Sequence, residues 1–218
     1  MSTPGFAVSQ PVSRERALAI FGQVMGLVAV TCGFAALGAY IGRGVTGVTV
    51  IVPWILAFGC IIGLNVANNK GLRQLALVLL FSVGLLLGIA VGYSLNYWAV
   101  TDSTVLYQAA GATALFVAAL GVGGYAIRKD LSYLYRFAFF ALLALIVFGI
   151  VTIFVSIPGG GLIYAVVGLV VFGLFVVLDF NRLRRAGQKE VIPLAAGIFL
   201  TVFNVFLFFI QIFGGGSR

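Results

Sequence analysis

Long apolar stretches, separated by short polar ones, run along almost the whole chain. Each is close to the roughly 20 residues that a helix needs to cross a bilayer. Runs this continuous can satisfy their backbone polar groups in lipid only as helices, so the pattern predicts seven transmembrane helices. The predicted spans are residues 17–41, 48–67, 74–95, 104–127, 132–155, 161–182 and 191–213.

Turn-forming residues separate these spans, including a Pro-Gly-Gly sequence before the sixth. The N-terminal segment is polar, mildly basic and followed by a full-length apolar run, which favours a permanent tail over a cleavable signal peptide. The predicted organisation is a tail at 1–16, one seven-helix domain at 17–213 and a flexible tail at 214–218. The predicted turns are residues 42–47, 68–71, 96–103 and 156–160.

The composition is that of a membrane protein. Hydrophobic residues make up 62% of the chain and charged residues only 8%, whereas a soluble domain carries about 25% charged residues. The mean hydropathy is +1.20. We therefore predict an all-α, polytopic membrane protein, a seven-helix bundle whose first partner is the lipid bilayer.

The basic residues lie mainly on one side of the predicted bundle. Eleven fall in the N-terminal tail and in or beside the second, fourth and sixth connections, against two on the other side. This asymmetry predicts a cytoplasmic N-terminus and an external C-terminus. The net charge of +8 is then a topology signal, and nucleic-acid binding is not expected. The eleven are Arg14, Arg16, Lys70, Arg73, Arg128, Lys129, Arg136, Arg182, Arg184, Arg185 and Lys189, and the two are Arg43 and Arg218.

Glycines recur at four-residue spacing on one face of the third span, and again in the first. They are Gly84, Gly88 and Gly92, and Gly22 and Gly26. Small residues at this spacing let two helix backbones approach closely. We interpret them as packing positions within one chain, with the interface of a homo-oligomer as the alternative.

The chain lacks the residues that several enzyme classes require. The chain has no histidine, which excludes His-based zinc proteases, Ser-His proteases and haem ligation by histidine. Its three lysines fall in predicted connections, so no retinal Schiff base can form. An intramembrane aspartyl protease needs two carboxylates, and one is embedded here. Cys32 and Cys60 lie in apolar segments and are interpreted as packing residues. We expect no enzyme activity, cofactor or resident metal.

Asp179 is the acidic residue that stands inside an apolar run, in the sequence VVLDFNRLRR. It falls near the C-terminal end of the sixth span, where the helix dipole disfavours a negative charge. One interpretation is an ion pair with Arg182, three residues further along the same helix. The other is a protonation-sensitive gate, since an ionisable group inside a bundle is by default a functional candidate.

The seventh span carries a polar face on a phenylalanine-rich helix. Gly197, Thr201, Asn204 and Gln211 are spaced so that all four lie on one side. Such a face should point into the bundle, either for hydrogen bonds between helices or as the lining of a pathway. Asn181, at the end of the sixth span, and Asn65, near the cytoplasmic end of the second, complete the set of candidate polar residues.

Three segments carry a resemblance to a known family: GATALFVAALGVGGYAIRKDLSYLYRFAFFALLALIVFGIVTIFV (residues 111–155), VVLDFNRL and IFLTVFNVFLFFIQIFG. They resemble the Bax inhibitor-1 family, also called the transmembrane Bax inhibitor motif family, and its bacterial YccA/YetJ-like members in particular. The resemblance implies a seven-helix protein of the bacterial cytoplasmic membrane. It also implies a pH-sensitive leak channel for Ca²⁺ or, in the YccA-like branch, a modulator of a membrane protease.

The resemblance further implies a pair of aspartates on spans six and seven that share a proton and hold the pore closed. Asp179 matches the first, but Thr201 stands where the second is expected, and span two reads NVANNK with no deep basic residue. At most, Asp179 is expected to hydrogen-bond Thr201, Asn204 or Asn65. Our first hypothesis is a Ca²⁺ leak modulated through Asp179. The alternative is a non-conducting regulator of other membrane proteins, and the third is proton-coupled transport.

Overall fold

Seven helices account for nearly all of residues 14–155 and 157–215, the part of the chain that the computed structural model describes. All seven are long and apolar enough to cross a membrane, so the protein is a multi-pass membrane protein and the predicted all-α class is confirmed. Short 3₁₀ turns at Gly47–Val50 and Gln188–Glu190 lead into the second and seventh helices. The helices are α1 (Arg14–Gly42), α2 (Ile51–Asn69), α3 (Arg73–Thr101), α4 (Ser103–Ala126), α5 (Leu134–Phe154), α6 (Gly160–Leu183) and α7 (Val191–Gly215).

The predicted turn at 96–103 is wrong. Helix α3 continues to Thr101, and α4 begins at Ser103, so that Asp102 alone separates them. Asp102 has an extended backbone, and its side chain accepts a hydrogen bond from the Thr104 amide at 3.0 Å. This aspartate caps α4 and reverses the chain in one residue, so no longer loop is required.

Parts of the two predicted tails are helical. Helix α1 already begins at Arg14, and α7 continues through Gly215. Gly214 packs against the ring of Trp98, so this part of the predicted flexible tail is ordered helix. The rest of the two predicted tails, residues 1–13 and 216–218, lies outside the described residues.

The glycines of α3 pack against α1, as predicted. A Cβ atom at Gly84 would lie 2.6 Å from the Thr31 carbonyl oxygen, and one at Gly88 would overlap the Ala35 carbonyl oxygen. Only glycine permits this backbone approach. The same prediction is wrong for Gly22 and Gly26, which have no atoms of the chain within 4 Å of the Cβ position and face outward.

The bundle consists of two three-helix groups joined by α7. Helices α1 and α2 pack on α3, whereas α4 and α5 pack on α6. Helix α7 contacts members of both groups, and a larger share of it is buried than of the other described spans. Phe199 and Val205 of α7 are among the most deeply buried side chains. The core therefore follows α7 through the bundle.

The connections α2–α3, α4–α5 and α6–α7 meet at one end of the bundle. The Asn68 amide donates to the Lys189 carbonyl at 3.0 Å, and Arg185 forms an ion pair with Asp130. We call this the basic end, because most Lys and Arg residues lie in or beside these three connections. The opposite end, which carries Arg43 and Asp102, is called the far end.

Candidate functional site

The Asp179 carboxylate joins three helices. It is buried on α6, one turn before the helix ends, with 7% of the residue exposed. The Tyr135 hydroxyl of α5 donates to Oδ1 at 2.9 Å, and the Thr201 hydroxyl of α7 donates to Oδ2 at 3.2 Å. A buried carboxylate requires such donors, because each unpaired oxygen would carry a desolvation cost. Both oxygens here have one.

Tyr135 is the site residue that the sequence analysis missed. It lies in the first turn of α5, just after the connection from α4, and is half-buried. Tyr133, two residues earlier, is 72% exposed. A tyrosine at the start of an apolar span is a weak signal by itself, since aromatic residues are common at membrane interfaces. Only the rotation of α5 against α6 distinguishes the two.

The polar face of α7 divides into two parts. Thr201 contacts Asp179, as expected, and a Cβ atom at Gly197 would lie 3.8 Å from both carboxylate oxygens. Asn204, one of the alternative partners, does not reach Asp179, because its amide donates to the Leu200 carbonyl of its own helix at 2.8 Å. Gln211 is exposed near the far end. Gly197 and Thr201 of this face therefore lie against Asp179, whereas Asn204 and Gln211 do not.

Asn65 lies away from the site. Its side chain is exposed on α2 and donates to the Ile61 carbonyl of the same helix at 2.9 Å. This alternative partner therefore does not contact Asp179, because α2 packs mainly on α3 rather than on α6.

Arg182 forms an ion pair with Glu190, at 3.0 Å, rather than with Asp179. The predicted pair within α6 is therefore wrong. Glu190 stands at the start of α7 and also accepts a hydrogen bond from the Gly187 amide at 3.0 Å. Both charged side chains are partly exposed, so their pairing avoids the cost of burying an arginine beside the carboxylate.

Asn181 holds the α4–α5 connection in place. The residue is 2% exposed. Its carbonyl oxygen accepts two hydrogen bonds, and the two N–H groups of its amide are shared among three backbone carbonyls. The donors are the Leu131 amide and the Arg185 guanidinium, and the acceptors are the carbonyls of Gly124, Ile127 and Lys129. Asn181 therefore has a structural role: it holds the α4–α5 connection, which leads into the first turn of α5 and Tyr135.

An exposed ion pair supports the same connection. The Arg185 guanidinium lies 2.6 Å from the Asp130 carboxylate. Hydrogen bonding to Arg185 holds the pKa of the Asp130 carboxyl well below its usual range. Asp130 also accepts a hydrogen bond from the Ser132 amide at 2.8 Å. The pair therefore stays ionised under mildly acidic conditions.

Apolar residues close the site on its remaining sides. Asp179 and Thr201 border a small void that leaves no room for a water molecule, walled by Val117, Phe180 and Val202 among others. In this conformation the carboxylate is thus sealed from bulk water along that side.

Cavities whose walls include polar side chains lie at the two ends of the bundle. A cavity of about 930 Å³ at the far end is bordered by Ser94, Asp102 and Gln211, and one of about 470 Å³ at the basic end by Asn68 and Arg73. Ten residues of α7 separate the levels of Gln211 and Thr201, about 15 Å along a helix. Buried apolar side chains such as Phe203 and Phe208 occupy that interval.

The oxygen ligands at the site are few. Asp179, Tyr135 and Thr201 supply one carboxylate and two hydroxyls, whereas Ca²⁺ takes six to eight oxygen ligands in a stable site. Within residues 14–155 and 157–215, no three Cys, Asp or Glu side chains gather as a metal centre would require. The arrangement is therefore suited to a proton or to transient contact with a cation.

Comparisons with known proteins identify relatives over the whole bundle. A family model described as inhibitor of apoptosis-promoting Bax1 matches residues 19–218. An uncharacterized membrane protein of Vibrio cholerae is 27% identical, over 98% of this chain and 97% of its own length. A protein of Pseudomonas aeruginosa is 26% identical over the same shares, and one of Deinococcus radiodurans is 32% identical over 67% of this chain and 73% of its own.

Proposed function

Because the chain belongs to the Bax inhibitor-1 family, we propose that it is a leak path for Ca²⁺ that is modulated by protonation of Asp179. One observation carries this proposal: a buried carboxylate on α6 accepts hydrogen bonds from hydroxyls on α5 and α7. Protons would act on the site as ligands, and Ca²⁺ would be the permeant ion rather than a cofactor. The role assigned is passive and non-enzymatic.

The charge on Asp179 sets how firmly the three helices are joined. Ionised, it accepts two charge-assisted hydrogen bonds, which are roughly twice as strong as neutral ones. Protonation removes the charge and turns one carboxyl oxygen into a donor, so the bonds to Tyr135 and Thr201 weaken. Helix α7 is then less firmly held on α6, and the apolar interval between Thr201 and the far-end cavity can widen. Acidification should therefore increase flux.

We further propose that the basic end faces the cytoplasm of a bacterial cell. The asymmetry of Lys and Arg between the two ends supports this orientation. Cysteines introduced at Lys129 and at Arg43, in a background without Cys32 and Cys60, would test it. A membrane-impermeant thiol reagent applied to intact cells should label position 43 and not position 129, and the reverse pattern would refute the orientation.

Flux measurements test the leak proposal directly. Purified full-length protein would be reconstituted into liposomes containing a Ca²⁺ indicator, and influx would be followed from alkaline to mildly acidic pH. Wild-type flux should rise on acidification. Asp179→Asn, which keeps the shape and removes the charge, should give raised flux that no longer responds to pH.

Asp130→Asn is the matched control, because it removes an exposed carboxylate at the same end of the bundle. It should retain the pH response of the wild type. If wild-type liposomes are no more permeable to Ca²⁺ than protein-free ones at every pH, the leak proposal fails.

A second function is favoured by the outward glycine face of α1. Gly22, Gly26 and Gly33 all face open space and lie on one side of the helix, where a helix of another membrane protein could approach closely. We propose on this basis that a membrane protein such as a protease, or a second copy of the chain, docks there. A photo-crosslinking amino acid at Ala29 should then capture the partner in native membranes, whereas one at Leu115 on α4 should not. Equal yields at the two positions would refute it.

A further inference from the structure

A long apolar groove runs between α1 and α4. Its larger part, about 690 Å³, lies toward the basic end, and a second part of about 410 Å³ continues it toward the far end. The two parts share Thr113, Ala114 and Val202, so they form one surface. We call the larger part the α1–α4 groove. Its walls include Leu18, Phe21 and Met25 on α1 and Ala118, Val122 and Tyr125 on α4.

The groove exists because its two walls are tied to other helices and meet in an edge-to-face contact of Phe21 with Tyr125, whose ring centroids are 5.6 Å apart. Helix α1 is tied to α3 by the glycine contacts, and α4 packs on α6 and α7. Phe180 and Val202 form the floor between them. Leu18 and Val122 are 58% and 71% exposed, so the groove opens sideways toward the bilayer. A groove in the hydrocarbon region is filled by apolar atoms, because burying apolar surface from water is favourable and an empty space would forfeit van der Waals contacts.

The dimensions of the groove match one leaflet. Its α1 wall extends from Leu18 to Val28, ten residues or about 15 Å. The hydrocarbon core of a bilayer is about 30 Å thick, so one leaflet accounts for about half of that. The volume lies within the roughly 300–1,000 Å³ of typical ligand pockets.

Positive charges flank the end of the groove that opens toward the lipid headgroups. Arg16 precedes Leu18 by two residues, and Arg128 and Lys129 follow Ala126, the last α4 residue of the wall. All three are exposed. A phosphate is the group that this charge would favour at headgroup level. The groove is therefore apolar over about the thickness of one leaflet and has basic side chains at its headgroup end.

We propose that the α1–α4 groove binds one acyl chain of a phospholipid from the leaflet at the basic end, with the lipid phosphate beside Arg128 and Lys129. This inference is independent of the proposed leak. The bound chain lies one side-chain layer from Asp179, because Val117, Phe180 and Val202 border both the groove and the small void at the carboxylate.

Photo-crosslinking in nanodiscs tests the proposal. The probe is phosphatidylglycerol with a diazirine in the middle of one acyl chain, and adducts on the full-length protein are mapped by mass spectrometry. In the wild type, adducts should concentrate on groove residues such as Phe21 and Met25. The adduct yield on the lipid-facing side of α5, for example on Phe140 and Val147, gives the background expected for lipid that is not specifically bound.

Ala118→Phe fills the groove from its α4 wall. It should reduce the adducts on Phe21 and Met25 to the α5 background. Ala119→Phe is the matched control, because Ala119 is also exposed on α4 but does not border the groove. It should leave the adducts unchanged.

Two results would overturn the proposal. One is a wild-type adduct density in the groove no higher than on α5, a readout that does not depend on any variant folding. The other is an adduct yield on Phe21 and Met25 in Ala118→Phe equal to that of the wild type and of Ala119→Phe, which would show that the groove does not hold the acyl chain. Circular dichroism and gel filtration of both variants would verify that Ala118→Phe alters the groove rather than the fold.

Discussion

The hydroxyl of Thr201 lies 3.2 Å from Oδ2 of Asp179, within hydrogen-bond distance and buried between α6 and α7. Threonine thus occupies the position at which the resemblance to the family implies a second carboxylate. A carboxylate paired with a hydroxyl binds one proton by itself, whereas two adjacent carboxylates share one. The two arrangements predict different pH profiles.

Thr201→Asp should convert the site into a carboxylate pair. Flux in liposomes should then respond to pH in two separate steps instead of one, because interacting groups titrate as a pair. Thr201→Asn has a similar size and no charge, and it should keep the single step. Identical profiles for the two variants would show that position 201 does not interact electrostatically with Asp179.

Tyr135→Phe should lower the free energy of unfolding by about 1–2 kcal/mol, the range for a hydrogen bond to a charged acceptor between membrane helices. The change leaves Oδ1 of Asp179 with one donor fewer while keeping the ring. Denaturant titration in detergent micelles would measure it. Tyr133→Phe, at an exposed position in the same turn, should leave stability unchanged, and equal effects would exclude a specific role for Tyr135.

Asn181→Ala should release the α4–α5 connection. It removes five hydrogen bonds to that connection and its surroundings, and buried groups left without partners cost at least about 2 kcal/mol together. Trypsin should then cleave faster after Arg128 and Lys129, which are exposed. Asn204→Ala loses only a bond within its own helix, so its cleavage rate should match the wild type.

The Asp130–Arg185 pair should be insensitive to mild acid. A carboxyl whose folded-state pKa is lowered contributes stability above its unfolded pKa and loses it only as pH falls through the lowered value. Since Arg185 holds the pKa of Asp130 well below its usual range, tryptic cleavage of the wild-type connection, normalised to a control peptide, should stay constant from neutral to mildly acidic pH. Asp130→Asn should raise it by the same factor throughout that interval, and a pH-dependent rise would contradict the assignment.

The apolar pattern was sufficient to predict the seven helices, because in lipid each span must satisfy its own backbone hydrogen bonds. The α3 glycines could also be assigned to close packing, since their four-residue spacing has a direct geometric meaning. The predicted end of α3 was wrong because residues 96–103, NYWAVTDS, contain polar residues typical of a turn, whereas the Asp102 cap of α4 lets α3 continue to Thr101.

The site itself was only partly predictable. Asp179 and Thr201 stand out because polar residues are rare in apolar spans. Which donors reach the carboxylate depends on helix rotation, and the sequence does not specify the rotation of α5 that turns Tyr135 inward and Tyr133 outward. Asn65, Asn204 and Arg182 also carry suitable groups, but each has a nearer partner on its own helix or across a short connection.

The position of α7 between the two three-helix groups has a mechanical consequence. If α1–α3 and α4–α6 shift relative to each other, α7 cannot follow both and must slide against at least one of them. Its link to α6 includes the Thr201–Asp179 hydrogen bond, so under the proposed function protonation of Asp179 would act on one of the contacts through which the two halves transmit force. A lateral pressure change in the surrounding bilayer and a pH change would then act on the same helix.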